Sequence, residues 1–595
     1  MCGLCGELRY DGEMPEMGAL QRMTRALQRR GPDHSGCFSD GPLAFGHRRL
    51  AIIDLTEHAN QPMVDQQLGL ALVFNGTIYN YPALRWELRG LGYHFFSEGD
   101  SEVILKAYHA WGEQCVERFS GMFAFAIWDQ RDRSLFLARD RLGIKPLYYA
   151  EGAGCFRFAS STQSLLAGGG IDTRIDPVAL HHQFTLHGVI PAPRTLLNGV
   201  RKLQPGHCMR VGAGGGRSLR RYWHLEARRP SRALCDGEWL EAIHDALREA
   251  VQTRNEVADV PVGVLLSGGL DSSLLVALLA ECGVSDLRTF SVGFEDHPNE
   301  KGSEFEYSDQ VAEYYDTRHH KYLIPNAEVL RRLPEAVRAM SEPMFGQDAV
   351  AFFLLAEQVS RQIKVVQSGQ GADEVFGGYF WYPRMQAERS GSALERFARH
   401  YFDRDHEEFL HGVAPVYRGA DYTSELIAGL LDEPGAETFM DAVLRMDTTT
   451  LIVDDPVKRV DNMTMAWGLE ARVPFLDQKL VELAMRCPPQ LKLREGGKYP
   501  LKAMARGILS DAVIDRPKGY FPMPALKYVR GDFLDFMRDI LDSRACRERG
   551  IYSRASIEML LAAPEMHHTR LQGSKLWHAA LLEYWLQSNV DPSVA

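Results

Sequence analysis

The chain has 595 residues, 45% hydrophobic and 24% charged, a composition ordinary for globular proteins rather than for disordered or fibrous ones. Its formal net charge, 67 − 78 = −11, disfavours nucleic acid as the main ligand, because that binding needs a basic surface. Apolar runs such as residues 274–280 are far shorter than the ~18 residues of a membrane span, and the N-terminus has no secretory pattern.

Residues 1–160 are predicted to be rich in β-strands, with short β-branched or aromatic runs separated by turns that contain Gly, Pro and Asp. The predicted strands are residues 43–55, 69–75, 121–128, 134–139 and 155–159, and the predicted helices are residues 82–91 and 100–111. Strands and helices that alternate without βαβ regularity favour a layered α+β domain.

A glycine-rich stretch at residues 212–216 cannot hold a regular element firmly, so we place the domain junction there. The predicted division is a first domain at 1–210, a linker at 211–237 and a second domain at 238–595, as a chain of this length needs at least two domains. The second begins with a helix at 238–253, continues with strands at 260–266, 289–293 and 364–368 that indicate a parallel α/β sheet, and is mostly helical from about residue 441.

Cys2 directly follows Met1, so removal of the initiator methionine would leave one residue with both a thiol and a free α-amine. An amine with a pKa near ~8 can act as base toward its own thiol, which makes a self-contained nucleophile. A chain can also begin with Met-Cys by chance, so this feature alone does not decide a function.

Five motifs follow in order: CGLCG at 2–6, RGPD at 30–33, RRLAIID at 48–54, FNGTIYN at 74–80 and GDSE at 99–102. Together they resemble the glutaminase domain of the class II, N-terminal-nucleophile amidotransferases, over about the first 200 residues. The resemblance implies an αββα fold in which Cys2 attacks the side-chain amide of glutamine. Asn75 and Gly76 would stabilise the oxyanion.

The same resemblance implies a glutamine-binding set. Arg49 would bind the α-carboxylate of glutamine and Asp100 its α-ammonium, as charge-assisted pairs. The rest of the set is Leu50, Ala51, Ile52, Ile53, Asn75, Gly76 and Thr77. Many relatives have Glu where this chain has Thr77, so one polar contact to glutamine is expected to differ.

The ten cysteines are scattered, which favours reduced thiols in a cytoplasm. Cys5 nevertheless completes a Cys-x-x-Cys pattern with the predicted nucleophile. We interpret Cys5 as a packed core thiol, and a Cys2–Cys5 disulfide that switches off glutamine cleavage stays open as the alternative.

A phosphate-binding loop is predicted in the second domain, where an apolar strand runs into SGGLDSS at 267–273 and then into a helix. Glycines let backbone N–H groups converge on an anion at the start of a helix. The motif resembles the PP-loop of ATP pyrophosphatases, and SGQGADE at 368–374 resembles the second phosphate and metal segment of asparagine synthetase-like domains.

These two segments imply ATP and Mg²⁺ as cofactors, because a pyrophosphate leaving group needs a cation held by carboxylates. The metal-associated positions are Asp271 and Asp373. The predicted ATP-binding residues are Leu266, Ser267, Gly268, Gly269, Asp271, Ser272, Val292, Ser368, Gly369 and Asp373.

Two further catalytic residues carry over from the resemblance. Glu342 matches a glutamate that helps to deprotonate the ammonia-derived nitrogen, and Lys498, in GGKYP at 496–500, matches a lysine that neutralises developing charge on the phosphates. The neighbouring segment AWGLEARVPFLD at 466–477 is also similar to the family.

The identity of the amidated carboxylate depends on resemblance alone. The segments SEPMFGQD at 341–348, VDDPVKRVDNMTM at 453–465 and GSKLW at 573–577 resemble the N-acetylglutaminylglutamine amidotransferase family, which amidates the dipeptide α-carboxylate to make a bacterial osmolyte. The alternative is asparagine synthetase, acting on aspartate. A regulatory protein without catalysis would have lost Cys2, Asp271 or Asp373, and a sugar amidotransferase would lack SGGLDSS; the chain has all of these.

The sequence thus predicts a carbon–nitrogen ligase that takes ammonia from glutamine, passes it through an internal tunnel and joins it to an adenylated carboxylate. The expected partners are glutamine and a small carboxylate acceptor, either the dipeptide or aspartate. We expect no nucleic acid and no membrane partner, and a cytoplasmic location. The oligomeric state stays open, with a homodimer as one option.

Overall fold

The computed structural model describes residues 2–152, 154–298, 300–516 and 523–591. The first domain contains two sheets and six α-helices among these residues. Its strands are β1 (Cys2–Arg9), β2 (His34–Asp40), β3 (Leu43–Arg49), β4 (Met63–Asp65), β5 (Leu70–Ile78), β6 (Gly121–Asp129), β7 (Ser134–Arg139), β8 (Tyr148–Gly152), β9 (Cys155–Ala159), β10 (Arg201–Lys202), β11 (His207–Gly212) and β12 (Arg217–Arg221). Its helices are α1 (Met17–Ala26), α2 (Tyr81–Gly90), α3 (Asp100–Trp111), α4 (Cys115–Arg118), α5 (Thr162–Gly168) and α6 (Pro177–Thr185).

The two sheets of the first domain are six-stranded, in the orders β10-β8-β9-β1-β3-β2 and β12-β11-β7-β6-β5-β4. Alternate residues of a strand face opposite sides of a sheet, and the inner faces share one apolar cluster that includes Leu4, Phe45, Val73 and Leu137. The outer faces carry α1 and α5 on one side and α2 and α3 on the other. The predicted layered αββα arrangement is therefore what the structure has.

The second domain is built on a five-stranded parallel sheet in the order β15-β14-β13-β16-β17. Its strands are β13 (Val262–Leu265), β14 (Arg288–Phe294), β15 (Arg318–Ile324), β16 (Val365–Gln367) and β17 (Glu470–Arg472). The helices from α7 to α17 are α7 (Asp236–Glu256), α8 (Leu270–Glu281), α9 (Phe305–Tyr314), α10 (Asn326–Ala339), α11 (Asp348–Ser360), α12 (Ala372–Phe376), α13 (Trp381–Ala387), α14 (Ala393–Tyr401), α15 (His406–Gly412), α16 (Tyr422–Asp432) and α17 (Phe439–Met446).

Two π-helical turns, Asp447–Leu451 and Val453–Val457, follow α17. The remaining helices are α18 (Lys458–Met465), α19 (Gln478–Arg486), α20 (Pro489–Lys492), α21 (Tyr499–Ala505), α22 (Asp511–Ile514), α23 (Pro524–Lys527), α24 (Asp532–Leu541), α25 (Arg544–Arg549), α26 (Arg554–Ala562) and α27 (Lys575–Asn589). In the described part of the chain, no helix has both the length and the apolar character that crossing a membrane requires.

Several boundaries shift by one to three residues, and three larger features differ from the sequence prediction. The strand predicted at 43–55 ends at Arg49, because Asp54 has a φ of 51° and the following carbonyls turn toward the Arg49 guanidinium. The first half of the predicted linker at 211–237 is not a linker, since Arg217–Arg221 pairs with β11 and ends a sheet of the first domain. The region predicted to be mostly helical contains strand β17, at the edge of the parallel sheet.

Candidate functional site

The predicted nucleophile lies where strands of both sheets of the first domain approach each other. Cys2 begins β1 and pairs in register with Arg49, the last residue of β3. The backbone nitrogen of Cys2 donates to Asn75 Oδ1 at 3.1 Å, which ties β1 to β5 of the other sheet. The structure thus brings Cys2, Arg49 and Asn75 together at one buried place.

The side-chain amide of Asn75 has an unused donor. Asn75 is fully buried, and its Nδ2 has no hydrogen-bond partner among the residues that the structure describes. A buried N–H group without an acceptor costs ~1–3 kcal/mol, so an oxygen atom of a ligand would stabilise this arrangement. The next residue, Gly76, has a φ of 154°, and a Cβ there would lie 2.1 Å from the Met122 carbonyl oxygen.

Arg49 is held by protein oxygens on both terminal nitrogens. Its Nη1 donates to the Thr56 carbonyl and to Asn60 Oδ1, both at 2.8 Å. Its Nη2 contacts the carbonyl oxygens of Ile53, at 3.4 Å, and Asp54. A ligand carboxylate that binds either nitrogen would therefore replace one of these contacts. The sequence did not predict that Arg49 already has these partners.

Asp100 is the first residue of α3 and faces the same region. Its Oδ2 accepts the Ile78 N–H at 3.0 Å. Burial raises the pKa of Asp100 to about 6, although the Ile78 N–H acts in the opposite direction. Thr77, between Gly76 and Ile78, donates its hydroxyl to Glu470 Oε1 of the second domain at 3.5 Å.

The segment after β3 connects this site to the second domain. The Ala51 N–H donates to Asp33 Oδ2 at 2.7 Å, and the Ile52 carbonyl accepts the Asp259 N–H at 2.9 Å. Leu50 and Ile52 are buried. The predicted set Leu50, Ala51, Ile52 and Ile53 therefore forms one loop beside Arg49.

The two N-terminal cysteines have different surroundings. Burial raises the pKa of the Cys2 thiol, while a backbone N–H of Leu50 and the charge of Arg49 lower it. Cys5 is a free thiol in the apolar core, with its Sγ 3.4 Å from Thr24 Oγ1, and burial raises its pKa to about 12. Both cysteines are free, which agrees with the prediction of a packed core thiol.

The predicted phosphate loop joins β13 to α8, a helix of 12 residues. The Ser267 N–H donates to Ser272 Oγ at 3.2 Å, and the Gly269 N–H donates to Ser267 Oγ at 3.3 Å. Gly268 has a φ of 74°, and a Cβ there would lie 2.5 Å from the Ser308 backbone nitrogen. These bonds hold the loop in a tight turn at the helix N-terminus, where an anion is favoured.

A cavity of about 130 Å³ lies against this loop. Of the predicted ATP-binding residues, Leu266, Ser267, Gly269, Asp271, Ser272, Val292, Ser368, Gly369 and Asp373 line it. Gly268 does not line it but packs against α9.

Lys498 joins the two predicted metal-associated carboxylates. Its Nζ is 2.6 Å from Asp271 Oδ2 and 2.8 Å from Asp373 Oδ1. Burial alone would lower the pKa of Lys498, but both carboxylates raise it above its ordinary value. A Cβ at Gly378 would lie 2.2 Å from Lys498 Cε, so the absence of a side chain there makes room for the lysine.

Glu342 lies in a buried ion cluster that draws on both domains. Its Oε2 accepts from Lys202 Nζ of the first domain at 3.1 Å and from Lys458 Nζ at 3.3 Å. Asp454 Oδ1 contacts the same two lysines, at 2.8 and 3.5 Å. Lys202, Lys458 and Asp454 were not among the predicted site residues, although Lys458 and Asp454 lie in the segment 453–465. Nothing in the sequence pairs Lys202 with a residue 140 positions away.

Two family models match this chain, one over each of its two parts. Residues 242–587 match the family model described as asparagine synthase, and residues 1–223 match the glutamine amidotransferase domain. The chain belongs to the asparagine synthetase family. The predicted class, a carbon–nitrogen ligase with glutamine as amido donor, is thereby confirmed.

Two relatives illustrate the extent of the match. The chain is 31% identical over 551 residues to "Asparagine synthetase [glutamine-hydrolyzing] 3" of Bacillus subtilis, covering 88% of this chain and 87% of the relative. It is 36% identical over 574 residues to "Putative asparagine synthetase [glutamine-hydrolyzing]" of Mycobacterium bovis, covering 87% and 86%. A solved glutamine PRPP amidotransferase from B. subtilis overlaps 54% of this chain and 91% of its own with a TM-score of 0.32 and 15% identity, too distant to support an argument.

Proposed function

We propose that this member of the family cleaves glutamine at Cys2 and uses the ammonia to amidate the α-carboxylate of N-acetylglutaminylglutamine in its second domain. The first half of the proposal is supported by the buried arrangement of Cys2, Asn75 and Asp100. The second is supported by the PP-loop and the cluster around Lys498.

At the donor site, the Cys2 thiolate would attack the side-chain carbonyl carbon of glutamine. The carbonyl oxygen then becomes an oxyanion, which the unpaired Asn75 Nδ2 and the Gly76 N–H would stabilise. Ammonia leaves, and water hydrolyses the thioester. After removal of Met1, the base would be the Cys2 amine, whose nitrogen is the one that donates to Asn75.

At the second site, the residues fit a nucleotide with Mg²⁺. Bound ATP with its metal would activate the acceptor carboxylate by adenylation. Carboxylate oxygens are the ligands that Mg²⁺ prefers, and the oxygens of Asp271 and Asp373 converge on one point, the Lys498 ammonium. Lys498 would hold these two carboxylates together and neutralise charge that develops on the phosphates.

The acceptor assignment depends on a cavity of about 500 Å³ that begins at the PP-loop and Lys498. The three segments that resemble the dipeptide-specific family meet on its wall, through Phe345–Asp348, Asp455–Arg459 and Gly573. These segments are distant in sequence, so their convergence beside Lys498 is the observation that carries the proposal. The volume lies within the ~300–1,000 Å³ of pockets for drug-sized ligands.

The charged groups on that wall fit either acceptor. Arg459 contacts both Asp348, at 3.0 Å, and Asp455, but the wall also carries Asp447, which accepts the Tyr382 hydroxyl and could face an α-ammonium. Aspartate is the second candidate, because the relatives' names specify asparagine synthesis.

The deciding experiment gives the purified chain glutamine, ATP and Mg²⁺ with each acceptor in turn, and measures AMP formation. The proposal predicts AMP formation that depends on the dipeptide and yields a neutral dipeptide amide. AMP formation that depends on aspartate and ignores the dipeptide would replace this assignment with asparagine synthesis.

A further inference from the structure

Strand β17 of the second domain lies between the two proposed sites. Its three residues, Glu470–Arg472, are all buried, and the side chains of Glu470 and Arg472 have no exposed surface. Buried charged groups are costly unless they are paired, so their placement needs an explanation beyond that of an ordinary edge strand.

One side of β17 contacts the glutamine pocket. Glu470 Oε1 accepts the hydroxyl of Thr77 at 3.5 Å. Thr77 follows Asn75 and Gly76 directly and precedes Ile78, whose N–H binds Asp100. The negative charge of Glu470 also contributes to the raised pKa of Asp100, after burial as the main cause. Glu470 therefore belongs to the surroundings of the donor site, although it comes from the other domain.

The backbone of β17 contacts the ATP-binding segment. Arg472 pairs in register with Gln367 of β16, and its carbonyl oxygen accepts the Ser368 N–H at 2.8 Å. Ser368 and Gly369 line the nucleotide cavity and lead to Asp373. A shift of Arg472 would therefore move the backbone that begins this segment.

A buried ion pair joins the side chains of Glu470 and Arg472. Arg472 Nε donates to Glu470 Oε1 at 2.5 Å. The Arg472 Nη1 donates to the carbonyls of Arg254 and Val257 at the end of α7, at 2.7 and 2.8 Å. Because water does not screen this pair, its attraction is stronger than that of an exposed ion pair.

We propose that Glu470 is a positioning residue that couples occupation of the glutamine pocket to the ATP-binding segment, through Thr77 on one side and Arg472 on the other. Glutamine in the pocket fixes the Thr77 hydroxyl on Glu470, and the ion pair then holds Ser368 in its nucleotide-binding position. By thermodynamic linkage, ATP must strengthen glutamine binding by the same factor.

The test measures binding without turnover. In Cys2→Ala protein, glutamine stays intact, so the Kd of Mg·ATP is measured by calorimetry with and without saturating glutamine, and the Kd of glutamine with and without Mg·ATP. We expect each ligand to tighten the other by at least about five-fold, the lower end of typical allosteric coupling. The same measurements follow in Thr77→Val and Glu470→Gln, each in the Cys2→Ala background.

Both substitutions are expected to reduce the coupling factor to about one, and the double variant should show no further loss. Thr195→Val is the matched control, because this buried hydroxyl bonds to backbone groups of its own loop, donating to the carbonyls of Leu197 and Val200 and accepting the Leu197 N–H; the coupling should persist there. If Glu470→Gln does not fold, Thr77→Val alone decides the matter, since it leaves the ion pair intact.

The inference rests on the proposed two-site function, and different experimental results would refute the inference and the function. Absence of glutamine or ATP binding in the Cys2→Ala protein would refute the function itself, and the coupling with it. Independent binding of both ligands, or coupling that survives in Thr77→Val, would refute the coupling role of Glu470 and leave the two-site function standing.

Discussion

Replacement of Asn75 by alanine tests the proposed oxyanion site most sharply. Asn75 Oδ1 accepts the Cys2 backbone N–H at 3.1 Å, and Nδ2 is a buried donor without a partner in the described chain. Loss of the first bond costs ~1 kcal/mol of stability, while removal of the unsatisfied donor returns a similar amount. We therefore expect the free energy of unfolding of Asn75→Ala to stay within about 1 kcal/mol of wild type.

Catalysis should respond much more strongly than stability. Loss of one oxyanion donor costs ~2.7–4 kcal/mol of transition-state stabilisation, or ~10²–10³-fold in kcat. The assay measures glutamate release from glutamine and, in parallel, product formation from added ammonium. Glutamate release should fall by that factor while ammonium-dependent synthesis stays near the wild-type rate.

Asn80→Ala provides the matched control. Asn80 lies five residues further along, and both atoms of its amide are satisfied, by the Arg118 carbonyl and by the Ser120 N–H, each at 2.9 Å. This variant should lose ~1–2 kcal/mol of stability and keep its kcat. If Asn75→Ala cleaves glutamine within about threefold of the wild-type kcat, the oxyanion assignment is wrong.

Further predictions concern the remaining groups of the two sites. In Gly378→Ala the new methyl would lie 2.2 Å from Lys498 Cε. Ammonium-dependent synthesis should therefore fall by at least about tenfold, while glutamate release stays unchanged. Loss of both activities would mean that the variant misfolds. Asp100, with a pKa of about 6, should lose its attraction for the glutamine ammonium when protonated. The glutaminase kcat/KM should therefore fall about tenfold per pH unit below that pKa. The same fall of kcat/KM with pH in Asp100→Asn would contradict the assignment of Asp100. Lys202→Met removes one cation from the buried carboxylate of Glu342 and should lower the free energy of unfolding, measured in urea, by about 3 kcal/mol. This value is the lower end for a broken buried ion pair, because a second lysine remains beside Glu342. A change below about 0.5 kcal/mol would show that the pair contributes little.

The sequence was sufficient for features that depend on local pattern. The SGGLDSS turn follows an apolar strand and precedes a helix, as the motif requires. Short β-branched and aromatic runs indicated a layered α+β domain, and the family resemblance implied its αββα form. Motifs also brought Cys2, Asn75 and Asp100 to one place in the first domain. The turn and the strands are encoded within a few neighbouring residues, whereas the contact between Cys2 and Asn75 spans 73 positions and was implied by the family resemblance.

Features that depend on contacts between distant parts of the chain were not predictable. Strand β17 has only three residues, too few for a periodic signal, and it forms because β16 offers a free edge. The contact between Thr77 and Glu470 spans 393 positions. The tunnel, the homodimer and the cytoplasmic location stay predictions.

Cys2→Ala tests the central claim, that two separate sites share one chain, most directly. Product formation is measured with glutamine and, separately, with ammonium, in the presence of Mg·ATP and the acceptor. The account predicts that synthesis from glutamine is abolished while synthesis from ammonium continues at close to the wild-type rate. Loss of ammonium-dependent synthesis in a variant that remains folded would contradict it.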